Sequence, residues 1–288
     1  MTDGVPQSTS ISPAAARSGV NWVKWSLISL VVAYLALLLL VPALNVVVQA
    51  FKGGWASLGT VFTSRFFLNA LRLTLIATVI TVPLNTVFGL CAALAIAHKT
   101  FPGRTLLISI IDLPFSISPV VAGLMLVLLY GNNGWFGPLL EAGGIKIIFA
   151  LPGIAMATVF VTMPFIAREV LPALEESGTE QQEAAATLGA TPWQTFWRVT
   201  LPSIKWSLLY GLILCNARAM GEFGAVAVVS GNITGKTQTL PLFIEESHAQ
   251  YDNPAAYGAA LLLGCLAVVT LVLKYLLERN THVRRTYH

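Results

Sequence analysis

Apolar residues in this chain come in long runs rather than in the short alternations of half-buried strands or surface helices. Six runs have the length, about 20 residues, with which a helix crosses the roughly 30 Å hydrocarbon core of a bilayer. They lie at approximately 25–50, 69–97, 106–130, 147–167, 206–230 and 255–277. The pattern therefore predicts about six transmembrane helices joined by polar connections. The first run is too long for a signal-peptide core and no A-x-A-like site follows it, so it reads as a retained anchor behind a polar, disordered tail. Pro83, Pro114, Pro119, Pro152 and Pro164 interrupt the spans. Such breaks either line a transport path, where freed backbone groups find polar neighbours, or are kinks absorbed by packing.

Composition sharpens this picture. Hydrophobic residues make up 56% of the 288 positions and charged residues 10%, with a mean hydropathy of +0.74. A soluble domain carries roughly 25% charged residues. A soluble enzyme, a disordered chain and a nucleic-acid-binding module are thereby excluded. The net charge of +4 is not gathered into a stripe that would suit a polyanion, because the basic residues fall between the apolar runs. Their distribution is a topology signal. With the N-terminus inside, the inner side holds eleven of the 17 Lys and Arg residues, the outer side holds Lys52, Arg65, Arg72, Lys146 and Lys236, and Arg218 falls within a span. Both termini are expected in the cytoplasm, as six spans also require.

Cys91, Cys215 and Cys265 sit inside apolar runs, and His98, His248, His282 and His288 are scattered near run ends. Neither set has metal-ligand spacing, and no disulfide framework is legible. These residues read as packing or surface positions, and no metal site is expected.

The connection 168–205 carries the densest structural signals. Thr179 followed by Gln182 has capping-box spacing and predicts a helix start. That helix runs through Glu183, Ala184 and Ala185, and Gly189 is placed to close it in a left-handed turn. Thr191, Pro192 and Gln194 predict a second helix start, and Leu201-Pro202 is expected to end that helix. The result is a glycine-defined corner between two short helices. Its alanines admit close approach of another backbone and Glu183 offers a charged anchor. It reads either as a docking element or as an ordinary amphipathic loop.

Gly231-Asn-Ile-Thr-Gly235-Lys236-Thr237 imitates a phosphate-binding loop, but only three residues separate the two glycines where four are required. It also falls on the outer side with no soluble strand before it, so no ATP site is expected there.

A charge at mid-bilayer costs roughly 2.5–3.5 kcal/mol on insertion scales and normally has a partner or a function. Arg218 lies about twelve residues into the fifth run, roughly 18 Å at 1.5 Å per residue, and Glu222 follows on the same helix face. They read as an internal ion pair, or Arg218 lends positive potential to an anion path, where a guanidinium suits tetrahedral oxyanions. Asp112, two residues before Pro114, reads as a buried or cytoplasm-facing hydrogen-bonding residue rather than one member of a proton relay.

Glu183-Ala184-Ala185, Gly189 and Leu201-Pro202 resemble the EAA loop of the permease subunits of ATP-binding-cassette importers. The stretch from Ala217 through Arg218, Gly221 and Glu222 to Ala225 is similar to the R-A-x-G-E-[FY]-G signature of sulfate and molybdate permeases. Leu113-Pro114, Ser118-Pro119 to Leu124 and Gly131-Asn132-Asn133-Gly134 look like the third-span motif of the same group. Val228 to Ile233, Thr239 to Leu242 and Glu245 look more like the CysW-type sulfate/thiosulfate subunit than its molybdate relative, which usually has two prolines where this chain has Ser118-Pro119. The resemblance covers about residues 60–275.

It implies an all-α integral membrane protein with the type I importer permease fold. The chain divides into a cytoplasmic tail 1–20, a first anchor 21–59, a permease domain 60–275 with the coupling loop 168–205, and a cytoplasmic tail 276–288. By this resemblance Glu183, Ala184, Ala185, Gly189, Leu201 and Pro202 couple to a separate ATPase, and Ser118, Pro119, Arg218 and Glu222 are candidates for the translocation path or gate. The chain is not an enzyme and binds no cofactor, ATP and Mg being held by the partner. The implied partners are a second, CysT-type permease, two ATP-binding-cassette subunits and a soluble sulfate-binding protein, in a bacterial inner membrane. Sulfate and thiosulfate are the expected cargo, with molybdate or tungstate the alternative. A secondary transporter should show several embedded acids or an inverted repeat, and an intramembrane enzyme paired catalytic groups; neither is evident.

Overall fold

The computed structural model describes residues 22–97 and 101–285, apart from the side chains of Val23 and residues 277–285. The predicted tail 1–20 lies outside the described residues. All regular structure among the described residues is helical. The chain divides into two units, residues 1–45 and 46–288. The first holds most of the apolar helix α1 (Trp22–Phe51).

In the second unit, α1 gives way to a separate short helix α2 (Gly54–Thr63). The predicted anchor 21–59 is thus two elements. The spans α3 (Arg65–Ala97), α7 (Leu151–Ser177) and α13 (Asn253–Arg285) are single helices, so the predicted tail from 276 continues a helix as far as Arg285. The two remaining runs are broken. The third consists of α4 (Arg104–Ser116) and α5 (Pro119–Tyr130), bent by 107°, and the fifth of a helical run Pro192–Met220 and α11 (Gly224–Ser230), bent by 50°. Four helices are long and apolar enough to cross a membrane, six if each bent pair counts as one span. Of the five prolines that interrupt the runs, Pro83, Pro114 and Pro164 lie inside continuous helices and Pro152 sits in the first turn of α7. Only Pro119 marks a break, and it does so as the first residue of α5, where its missing N–H would have no helical partner.

The long helix α7, which follows the short helix α6 (Gly137–Ala142), is the axis of this unit, packing against α3, α4, α5, α11 and α10 (Leu201–Met220). Small side chains allow the approach, as lipid-embedded bundles require. Ala93 of α3 meets Ile166 and Val170 of α7 and Cys215 of α10 in one core cluster, and Ala157 and Val161 of α7 meet Ala225 and Val229 of α11 in another. A third cluster joins α2 and α3 to α12 (Leu240–Ala249) and α13 through Val61, Phe67, Leu240, Phe243 and Ala259.

Four buried hydroxyls within this unit are satisfied locally, whereas those of Thr81 and Thr239 are buried without a partner. Thr74, Thr78, Thr158 and Thr162 each donate to the carbonyl four residues back, at 2.7–2.9 Å. One buried amide instead ties three helices together. Asn85 of α3 donates from Nδ2 to Thr162 Oγ1 at 2.7 Å and the Val159 carbonyl at 3.2 Å on α7, with Cys215 Sγ of α10 at 3.9 Å. Cys215 packs here as expected of a small apolar residue. Two ion pairs clip α4 to α7: Arg104 to Glu175 and Asp112 to Arg168, both at 2.7 Å. Arg168 also lies 4.6 Å over the ring of Phe115. Asp112 is therefore a hydrogen-bonding residue.

The Asn85 node yields a prediction. Asn85→Ala removes the cross-helix donor and leaves a small void, and lowers stability by about 1–2 kcal/mol. Thermal unfolding in detergent should fall by several degrees, whereas Cys91→Ala, on an exposed face of the same helix, should leave it unchanged.

Candidate functional site

The segment expected to dock begins where α7 ends, at Gly178. The helix α8 (Glu180–Thr187) starts where predicted, but not through the predicted capping box. Thr179 has helical rather than extended dihedrals, and its hydroxyl donates to Glu183 Oε1 at 2.7 Å instead of capping the backbone. The far end is as expected. Gly189 is left-handed at φ +82°, its N–H donates to the Ala186 carbonyl, and the Ala190 N–H reaches back to the Ala185 carbonyl, both at 3.0 Å. This pair of bonds is a Schellman closure, and it needs a residue that accepts positive φ without strain.

The second helix starts at Thr191 with a complete capping box. Thr191 Oγ1 accepts from the Gln194 N–H and Gln194 Oε1 accepts from the Thr191 N–H. Leu201-Pro202 does not end this helix. A single turn, α9 (Pro192–Thr195), passes through a π-helical turn (Phe196–Thr200) directly into α10. Pro202 stands in the first turn of α10, where a proline is tolerated, and the wider turn before it absorbs the missing donor. The predicted loop 168–205 thus contracts to a corner of a few residues, with helix running into it and out of it. The corner continues without a break into the span α10, whereas Gly178, at φ +62°, separates α8 from the span α7.

No residue of α8 is buried, Glu183, Ala184 and Gly189 are exposed, and Ala185 is half-buried. Around the corner stand large apolar side chains that sequence reasoning did not single out. Leu188 is 88% exposed, Trp193 69% and Trp197 51%. The Trp193, Phe196 and Trp197 rings stack edge and face at 5.4–6.0 Å. Bare aromatics clustered on a rigid, polar-flanked corner are the composition of an interface hot spot. The signal was available in Pro-Trp-Gln-Thr-Phe-Trp, but apolar residues there read equally as the start of a span.

The remaining candidates lie at the two helix breaks, which the fold brings together. Gly224, first residue of α11, lies against Pro119 and Val120 of α5: a Cβ on it would stand 3.1 Å from Pro119 Cβ. Gly123 of α5 lies so close to α11 that a Cβ would stand 2.7 Å from the Ala225 carbonyl. Ser118 and Arg218 are thus on adjacent segments although 100 positions apart in the chain. At the second break, Glu222 is buried, its side chain 1% exposed, and Oε2 lies 2.6 Å from Arg218 Nη1. Glu222 Oε1 accepts from the Ala225 N–H at 3.1 Å, which caps α11. Arg218 is 34% exposed. The carboxylate is thereby spent twice, on the guanidinium and on the broken backbone, whereas the guanidinium reaches the surface of the break. Ser118 is exposed and makes no bond that caps α5.

The segment that imitates a phosphate loop bonds several of its backbone donors internally. The Lys236 and Thr237 N–H groups bond to the Ile233 carbonyl, the Ile233 N–H to Thr237 Oγ1, and that hydroxyl to the Ser230 carbonyl. It is a closed turn. Among the described residues no cluster of His, Cys, Asp and Glu could hold a metal.

The model of the family "Binding-protein-dependent transport system inner membrane component" matches residues 85–283. The chain is 61% identical over 285 residues, 99% of its length and 96% of the relative's, to the "Sulfate transport system permease protein CysW" of Synechococcus elongatus. It is 40% identical over 238 residues, 83% of its length and 86% of the relative's, to the "Sulfate transport system permease protein CysT" of Escherichia coli. Among solved structures, a bacterial alginate ABC transporter in complex with an alginate pentasaccharide-bound periplasmic protein contains a chain that superposes with a TM-score of 0.72 at 21% identity, covering 90% of this chain and 94% of that one.

Glu222 should be the less replaceable half of its ion pair. Glu222→Ala strands Arg218 and uncaps α11, lowering stability by about 2–3 kcal/mol. Glu222→Gln keeps an acceptor for the Ala225 N–H and should lose about half as much. Comparing the unfolding temperatures of the two purified variants tests this ranking.

Proposed function

Because the chain belongs to the family of inner membrane components of binding-protein-dependent transport systems, we propose that it is one of two permease subunits of an ATP-driven sulfate importer in a bacterial inner membrane. Its 61% identity over nearly its whole length to a sulfate permease carries this reading. Thiosulfate, which has the same charge and nearly the same shape, is the second expected cargo. The other permease subunit is of the CysT type. The 40% identity of this chain to the CysT permease of Escherichia coli suits a pseudo-twofold pair of similar subunits. ATP is hydrolysed on two separate ATPase subunits, and a soluble sulfate-binding protein delivers the anion from outside.

The exposed corner at Glu183–Gly189, flanked by Trp193 and Trp197, is the contact with an ATPase subunit. Because the helical run from Pro192 continues unbroken into α10, a displacement of the corner moves α10 with it, while α7 is joined to the corner through the Gly178 break and α8. Both spans pack against α3 at the Asn85 node, and α7 also packs against α4 and α5. The two breaks, which meet where Gly224 lies against Pro119 and which carry Ser118 on one side and Arg218–Glu222 on the other, are the flexible points of the bundle and the proposed gate. The N-terminus of α5 carries a positive partial charge there, and the partly exposed Arg218 adds donors suited to a tetrahedral dianion. Glu222 holds the break in shape and cancels much of the net charge, so a dianion passes without being trapped.

The test is ATP-dependent uptake of labelled sulfate into proteoliposomes holding the whole complex. Gly189→Asp should reduce uptake at least tenfold. Aspartate tolerates positive φ better than most residues, so the loss comes from a charged side chain placed on the exposed docking corner, and the unfolding temperature of the membrane bundle stays within a few degrees. Normal uptake by that variant removes the coupling assignment. Uptake displaced by molybdate but not by thiosulfate removes the substrate, and uptake without the ATPase removes the importer reading.

A further inference from the structure

On the face that the basic-residue distribution puts outside the cell, a cavity of about 530 Å³ opens between α2, the turn before α12, and α12 itself. Its floor is acidic and rich in acceptors. Glu246 accepts from Thr234 Oγ1 at 3.3 Å, from Gln250 Nε2 at 3.0 Å and from Gln238 Nε2. All three donors are neutral, and none of the ion pairs among the described residues includes Glu246. Asp252 lines the same cavity, its Oδ1 accepting from the Ala255 N–H at 3.3 Å. Gln238 is 3% exposed: its Nε2 also donates to Asn232 Oδ1, while its Oε1 is buried with no partner. A buried acceptor without a donor, beside two carboxylates without a countercharge, is an arrangement completed by a cation that brings its own N–H groups.

We infer that this cavity receives an arginine or lysine side chain projected by the soluble protein that delivers the substrate, an inference that rests on the importer reading above. The chemistry excludes the cargo itself, since two carboxylates repel a dianion. The size excludes a dedicated ion site: the space holds many waters at about 30 Å³ each, whereas a basic side chain with its apolar stem fits a pocket whose walls include Val61, Phe66 and Phe243 beside the acids. The contact fixes the register in which the delivery protein sits on the outer surface and speeds its encounter with it.

The experiment uses the reconstituted complex with both permeases, the ATPase subunits and the sulfate-binding protein, and reads ATPase stimulation against binding-protein concentration. Glu246→Gln should raise the half-saturating concentration about tenfold, leave the maximal and unstimulated rates unchanged, and flatten the dependence of half-saturation on salt. Thr60→Trp fills the cavity from α2 without touching the bonds of Glu246, and should give the same shift. It guards against a merely structural effect at Glu246. Stimulation curves of both variants that superpose on the wild type overturn the inference, as does a lowered maximal rate with unmoved half-saturation. A cation-dependent rise in unfolding temperature with Mg²⁺ or K⁺ alone, lost in Glu246→Gln, would make the occupant a free ion and overturn it too. Absence of any stimulation in the wild-type complex would instead overturn the importer reading itself.

Discussion

In hydrocarbon no water is available to a freed amide or carbonyl, so a helix may be interrupted only where the surrounding protein supplies the missing partners. That constraint organises this molecule. Its two interrupted spans are placed against each other, and the interruptions are repaired by residues chosen for the purpose. Pro119 begins α5 without presenting a donor, and Glu222 gives one carboxylate oxygen to the Ala225 N–H. The same carboxylate neutralises Arg218, so one buried acid answers both the backbone and the charge. The glycines at the contact, Gly123 and Gly224, then follow as a steric necessity, because a side chain on either would drive the segments apart.

The coupling corner obeys the opposite logic. It lies at the start of the helical run that continues into α10, where water can satisfy the backbone, yet its turn is closed by internal bonds on both sides of Gly189. A stiff corner bearing bare aromatics transmits force in a way that a solvated loop cannot. The π-helical turn before Pro202 is the adjustment that lets the corner continue into α10 instead of ending there. Stiff input at the corner and compliant breaks in the bundle are the two ingredients of a gate driven from a distance.

Much of this was legible in the chain itself. Gly189 announced a left-handed closure and Thr191-Pro192-x-Gln194 a capping box, because both are local bargains between one side chain and a few backbone groups. Asp112, Arg218 and Glu222 stood out because charge in an apolar run is rare. Thr179 misled, since its hydroxyl found the Glu183 carboxylate, a stronger acceptor partner than a backbone N–H is a donor. Asn85 was overlooked, because a lone amide in an apolar run looks the same whether or not two other helices meet it.

Run length, local capping and fixed residue spacing were enough to read the all-helical, membrane-spanning class, the position of the corner and the family from the chain alone. Which prolines break a helix, that the breaks at Pro119 and Glu222 adjoin, and that Asn85, Glu246 and Gln238 are polar nodes rather than isolated side chains emerged from the packing of the folded chain. The physical reason is the range of the interactions. Hydrophobicity and capping act within a few residues, whereas the partner of a buried polar group lies on another helix, and the long-range packing of small residues selects it.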